Sequence, residues 1–511
     1  MANKDELFSL IQSLTKSEKR HFKLFASLYG GDKNHLRLFE AIDKQVRTGK
    51  YDERLIYEEF SNEAFCKQLH VTKNYLVKLI LKSLRNFHQK ISIGAQLKDQ
   101  LREIEILYNK GLYKHCAKLI KKAEALAEKF DKSTALLELL HWKRNLIIAE
   151  HGSYAGGTLL EPILQKESEQ LRLLCALHES WEDSIEIIKT NMNNPFGRNG
   201  VQQVLSRPDK NEISEPPNQM GSYQVIRMKY FIKYLNSLFL NNINSTYSIA
   251  KSYVTFLEKN PHQIQEEPLT YVAAINNLVP VCLRLRHYDE VITLIQRAKA
   301  VPVQYKLSHF NTLQYRLLVR TYNHELELYR DLGDIPKGIN LIQEVSSFIN
   351  TYDTLVTSDY RIVFYYQFAY FLFADGKYSE ALIYVNQIMS NRDSMRKDLL
   401  TYTRILNLML HYEMKNYDLI EYLYYSTKRF INKQNQLYEF EKLILEFFKQ
   451  ISETNNANAR ERFILLKEKI KTLEARSESS LDYINIIAWI QSKLNRTTFA
   501  QVLKQNQKKV E

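Results

Sequence analysis

In the stretch NKGLYKHCAKLIKKAEAL, residues 109 to 126, apolar or small residues recur at Tyr113, Cys116, Ile120 and Ala123, and lysines fill the positions between them. Spacings of three and four residues put these positions on one stripe of an α-helix. The spacing returns in ADGKYSEALIYVNQI (374 to 388) at Tyr378, Ala381, Val385 and Ile388, and in DLGDIPKGINLIQEV (331 to 345) at Ile335, Gly338, Ile342 and Val345. A glycine, Gly111, Gly376 or Gly333, stands two residues ahead of each stripe. Each of these segments therefore reads as a glycine followed by an amphipathic helix. Looser copies lie at LRHYDEVITLI (285 to 295), around Tyr288 and Val291, and at MKNYDLIEYL (414 to 423), around Tyr417 and Ile420. With weaker anchors at Trp181 and Tyr247, the array is expected to cover residues 95 to 455.

This grammar resembles the tetratricopeptide repeat, in which the small residue three places after the aromatic lets the second helix pack closely on the first. The resemblance implies an all-α, right-handed superhelical α-α solenoid of TPR-like hairpins. The anchors 288, 335, 378 and 417 are spaced more widely than the family's repeat of about 34 residues, which predicts longer helices or longer joints. One hairpin cannot bury its own apolar stripe, so stacked neighbours must share a continuous core. The 33 Tyr and 24 Phe are read mainly as packing between helices.

The helical rhythm breaks at residues 191 to 222, which hold four of the ten prolines and three of the glycines, and a loop or insert is expected there. From 456 to 511 two terminal helices are expected, with Leu481, Ile484, Ile487, Ala488 and Leu494 forming a face that seals the last repeat. The closing QNQKKVE reads as a polar tail.

Residues 1 to 94 read as a separate module of shorter helices. Thr15 to Glu18 is a capping box, and the helix after it carries Phe22, Phe25 and Leu28 opposite Lys16, Lys19, Arg20 and Lys23. In FCKQLHVTKNYLVKL, residues Phe65, Cys66, Leu69, Val71, Leu76 and Leu79 fall at helix-turn-helix core offsets. His70 would occupy the turn, and Thr72 would cap the second helix. Placed on a helix, Asn74, Lys78, Lys82, Arg85 and Gln89 share one sector of roughly 80°. No acid occurs from Ala64 to Lys98. Lys73, Asn74, Lys78, Lys82 and Arg85 are therefore the candidate nucleic-acid contacts, suited to phosphates and, near the amino end, to base edges.

Charge and composition fit this division. The chain carries a net charge of +13, and residues 1 to 95 hold 17 Lys and Arg against 11 Asp and Glu, which permits an acidic partner for that module. With only 14 Gly and 10 Pro in 511 residues, little interrupts long helices. The start has no apolar core of signal-peptide length, and no later run reaches membrane-span length, so a cytoplasmic protein without a membrane partner is expected. Cys66, Cys116, Cys175 and Cys282 are scattered, which suggests neither a disulfide framework nor a zinc cluster.

No phosphate-binding glycine loop, nucleophile elbow or HExxH motif occurs, and pairs such as His178–Glu179 and His324–Glu325 lack a second His four residues on. No catalytic residue, cofactor or metal site is expected. Two functions fit: a non-enzymatic scaffold or adaptor that binds a protein or peptide partner in its superhelical groove, or a transcriptional regulator that couples a DNA-binding head to a TPR-like sensor array.

Overall fold

A computed structural model describes residues 6–28, 34–89, 92–155, 157–193, 222–307, 311–390, 396–432, 439–453, 458–474 and 484–508. Every regular element among them is helical. No helix among the described residues is long and apolar enough to cross a membrane. The chain divides into two compact units, Met1–Phe239 and Leu240–Glu511.

The first unit begins with α1 (Glu6–Ser13), α2 (Lys16–Leu28), α3 (Asn34–Thr48), α4 (Glu53–Glu59), a 3₁₀ turn (Ala64–Gln68) and α5 (Leu69–Phe87). Leu7, Ile11, Phe22, Phe39, Leu76 and Ile80 belong to one shared core. The capping box forms: the Thr15 amide donates to Glu18 Oε2 at 2.7 Å and the Glu18 amide to Thr15 Oγ1 at 3.2 Å. Glu18 also lies 2.6 Å from His88 Nε2, which ties the start of α2 to the end of α5. Next come α6 (Ile93–Asn109), α7 (Tyr113–Lys129), α8 (Ser133–Ala155), α9 (Gly157–Asn193) and α10 (Tyr223–Phe239). Trp181 does not open a repeat; it lies well inside α9 and is 51% exposed. The Pro- and Gly-rich insert falls, from 194 to 221, outside the described residues.

The second unit comprises α11 (Ile243–Glu258), α12 (Pro261–Glu266), α13 (Pro268–Arg284), α14 (Tyr288–Gln304), α15 (Asn311–Asp331), α16 (Ile335–Thr351), α17 (Ser358–Ala374), α18 (Tyr378–Ser390), α19 (Lys397–Glu413), α20 (Tyr417–Asn432), α21 (Glu439–Glu453), α22 (Ala459–Glu474), α23 (Ile486–Asn495) and α24 (Phe499–Lys508). Sequence neighbours pack together, and α13, α15, α17 and α19 also pack each on the next, so the first helices of successive hairpins form one row.

One device makes the joints. Gly333 has φ 63, the Asp334 amide donates to the Tyr329 carbonyl at 2.9 Å, and the Gly333 amide donates to the Arg330 carbonyl at 3.1 Å. This pair of bonds closes a helix C-terminus and turns the chain into the next helix two residues later. The looser repeats use it without glycine: Arg286 and Lys415 both have φ 60, and their following amides reach Cys282 and His411 at 2.9 Å. Side-chain-bearing residues accept about 1–2 kcal/mol of strain in that conformation, so the turn bonds must outweigh it. At the start of this unit Asn241 has φ 54, and α11 starts at Ile243. The anchor there is Ile243, with Thr246 as the small buried residue, and Tyr247 lies one turn too late.

Packing enforces the small residue three places after the anchor at Gly338, where a methyl would collide with the buried Phe371 ring. Ala381 is fully buried at the matching position, whereas the looser copies bury the larger Val291 and Ile420 there. The C-terminal helices do more than seal the last hairpin. Trp489, 1% exposed, sits among Tyr412, Phe447, Phe448 and Phe463, and its Nε1 donates to Glu413 Oε1 at 2.6 Å. Phe499 reaches back to Tyr370 and Phe373, and the backbone of Leu503 lies 3.0 Å from where a Gly333 Cβ would be. Ile484 and Ala488 are buried, as the sealing face requires, while Leu481 falls outside the described residues.

Candidate functional site

The first candidate region is α5. Leu69, Leu76 and Ile80 turn inward, and Asn74, Lys78, Lys82 and Arg85 are exposed on the opposite side. Lys73 departs from the expectation. It follows Asn74 backward by 100° around the helix, beside Ile80, and is only 8% exposed. Its Nζ donates to Tyr51 Oη at 2.5 Å and to Glu53 Oε1 at 2.8 Å, so it is a packing lysine and not part of the basic face. The expected turn is also corrected. His70, Val71 and Thr72 lie within α5, because the 3₁₀ turn runs straight into it at Leu69. Val71 is 60% exposed and contributes nothing to a helix-turn-helix core. The Thr72 hydroxyl faces the Gln68 carbonyl at 3.4 Å in place of capping a helix. On α2, Lys19 and Lys23 turn to Asp43 and Glu40 of α3, at 2.6 and 2.9 Å, and do not extend the α5 face.

The second region gave little sequence signal. On the row of first helices, α13 carries Pro280, which has no amide to bond the Asn276 carbonyl four residues earlier. That carbonyl instead accepts from Arg320 Nη2 at 3.0 Å and lies 3.1 Å from His324 Nε2, both on α15. The other ring nitrogen of His324 lies 2.9 Å from Glu327 Oε2. Both ring nitrogens therefore face acceptors, and Thr321 Oγ1 adds a bond to Asn276 Oδ1 at 3.2 Å. Asn323 Nδ2 donates to Glu327 Oε1 at 2.8 Å. Burial pushes the Glu327 carboxyl up, but the hydrogen bond and charge of His324, with Arg330 and Asn323, outweigh it and hold the group below the ordinary carboxylate range.

Beside this network lies a cavity of about 250 Å³, lined from α15 by Arg320, Asn323, His324 and Glu327, from α17 by residues including Val363 and Gln367, and at the start of α19 by Arg396 and Leu399. The buried oxygens Asn323 Oδ1 and Gln367 Oε1 have no hydrogen-bond partner. Gln367 is 3% exposed. Buried polar groups left this way are uncommon in folded proteins and call for an explanation.

A third cluster, Cys282, His287 and Glu290, has ligand atoms within 4.8 Å of one another. It already holds a cation: Lys251 Nζ lies 3.1 Å from Glu290 Oε1, and Tyr247 Oη donates to Glu290 Oε2 at 2.7 Å. Burial and the Glu290 charge push the Cys282 thiol up to about 12.

Searches against known proteins returned no matching family model, no matching curated protein and no matching solved structure.

Proposed function

We propose that the chain is a non-enzymatic, tetratricopeptide-like scaffold or adaptor that binds a protein or peptide partner along the first helices α13, α15, α17 and α19. One observation carries the reading: that row buries Asn276, Thr321, His324, Gln367 and Asn407 where apolar residues would pack at lower desolvation cost. Polar side chains inside a helical row, with an oxygen of Gln367 and of Asn407 left unbonded, are the kind of feature that a partner's backbone donors would answer. The test selects displayed peptides on the immobilised full chain and titrates the winners calorimetrically against wild type and Val363→Arg. A loss of about tenfold or more in affinity is expected; binders indifferent to Val363→Arg would place recognition elsewhere.

A second reading, a transcriptional regulator whose head meets nucleic acid, is favoured by the exposed Lys78, Lys82 and Arg85 on α5. Phosphate contacts would give a slope of about −0.9 in log K against log salt for each charge neutralised. Filter binding should then vanish in a Lys78→Glu, Lys82→Glu, Arg85→Glu triple variant; salt-independent retention would count against the reading.

A further inference from the structure

Several basic side chains of the amino-terminal helices are answered by acids. Lys19 pairs with Asp43 at 2.6 Å, Lys23 with Glu40 at 2.9 Å, Arg37 with Glu63 at 2.7 Å and Lys73 with Glu53 at 2.8 Å. The outer face of α5 differs. Lys78, Lys82 and Arg85 are exposed on it, and among the described residues neither Lys78 nor Arg85 makes an ion pair. Exposed cations alone fit any solvated helix; the side chain that stands among them narrows the choice of partner.

That side chain is Tyr75. On the helix it falls within about 80° of arc with Lys78, Lys82 and Arg85. It is 53% exposed, one turn past Val71, itself 60% exposed. Tyr51, by contrast, packs against the core of these helices. His35 of α3 braces the Tyr75 ring edge-on, with centroids 5.8 Å apart and planes at 70°. A ring held in water among cations gains nothing from a phosphate, but an unpaired base gives it a stacking partner. The bases of a duplex are already stacked on one another and out of its reach. Moreover, α5 follows straight on from the 3₁₀ turn, without the joint that sets a recognition helix in a groove.

We propose that the outer face of α5 binds single-stranded nucleic acid, with a base stacked on Tyr75 and the neighbouring phosphates met by Lys78 and Arg85. The inference rests on the nucleic-acid reading of α5 and narrows it to unpaired strands. From Tyr75 to Arg85 the helix rises about 15 Å, so the footprint is a short run of nucleotides. Recognition is tolerant of sequence, because every base has a face to stack and phosphate contacts carry no sequence information.

The full chain is titrated by fluorescence anisotropy with labelled oligothymidylate, oligouridylate and a hairpin duplex, and by co-sedimentation with phosphatidylserine vesicles. The single strands are expected to bind more tightly than the hairpin. Tyr75→Ala, a surface change that should leave the melting temperature unmoved, is expected to weaken single-strand binding about tenfold, and Tyr75→Phe, which keeps the ring, to retain it. If the hairpin binds as tightly as the single strands, or if Tyr75→Ala binds them like wild type, the inference is overturned. The nucleic-acid reading still stands in that case, provided that the Lys78→Glu, Lys82→Glu, Arg85→Glu variant loses binding. Retention of no oligonucleotide overturns both, and retention of the vesicles alone assigns the face to an anionic membrane surface instead.

Discussion

On α5, Lys78 and Arg85 are exposed at the surface; on α15, His324 and Glu327 face each other inside a row of helices, and Arg320 and His324 meet the same Asn276 carbonyl. An exposed lysine is stable almost anywhere on a helical surface, so its presence constrains the protein's chemistry very little. A buried polar group must be bonded, or it costs about 1–3 kcal/mol. The α15 network therefore carries more information about function per residue, although the α5 face is the one that charge counting finds. Lys73 makes the point within one helix. It shares α5 with Lys78, yet it is held by Tyr51 and Glu53 and acts as part of the core.

The sharpest break in this contrast is His324→Leu, which removes the charged partner of Glu327 Oε2 and one of the two side chains that meet the Asn276 carbonyl. Losing a charge-assisted bond to a partly buried carboxylate costs about 2–3 kcal/mol, and the loss should appear as a lowered urea midpoint. Lys73→Ala should cost about 1–2 kcal/mol by the same measurement, through the loss of two bonds made by a largely buried ammonium. Gln367→Leu should move the other way, raising stability by up to about 1 kcal/mol.

Acid should weaken the second unit in two stages. Burial lowers the pKa of His411, so the unfolded chain takes up a proton that the folded chain refuses. The stability tied to this difference is present above the ordinary histidine value of 6.5 and is lost as pH falls below it. Glu327, also held below its ordinary value, adds a loss that sets in only below about pH 4.5. Melting scans should therefore decline between pH 7 and pH 5, and His411→Leu should flatten that part of the profile. The smallest effect is Lys78→Ala, expected within about 0.5 kcal/mol of wild type in stability and reducing any nucleic-acid salt slope by about one.

The hairpins were legible because their signals are local. A glycine two residues before an apolar stripe marks a left-handed joint, and Gly111, Gly333 and Gly376 all adopt positive φ. Arg286, Lys415 and Asn241 take the same conformation without announcing it, which is why the copies at 288 and 417 looked loose and the one near 247 was misplaced by a turn. Apolar spacing also cannot tell a helix-turn-helix from a continuous helix, since Leu69, Leu76 and Leu79 are buried in either case. The cavity was hidden for a different reason: its residues come from three helices, and only folding brings Asn323, Gln367 and Arg396 together. Two signals were nevertheless present in the sequence. Pro280 follows Asn276 by four residues inside an apolar helix, and RTYNHELE, residues 320 to 327, is crowded with polar residues for a helix that lies at the centre of a core.

The return of α24 to the middle of the second unit also bears on how the chain is made. Each two-residue joint lets a hairpin zip as soon as its own residues leave the ribosome, and such local steps take microseconds. Tyr370 and Phe373 cannot be covered in that way, because the ring that packs on them belongs to Phe499. At ordinary rates of about 5–20 residues per second, this aromatic strip waits on the order of ten seconds for its cover. For that interval the nascent protein displays a greasy seam that the finished one does not have.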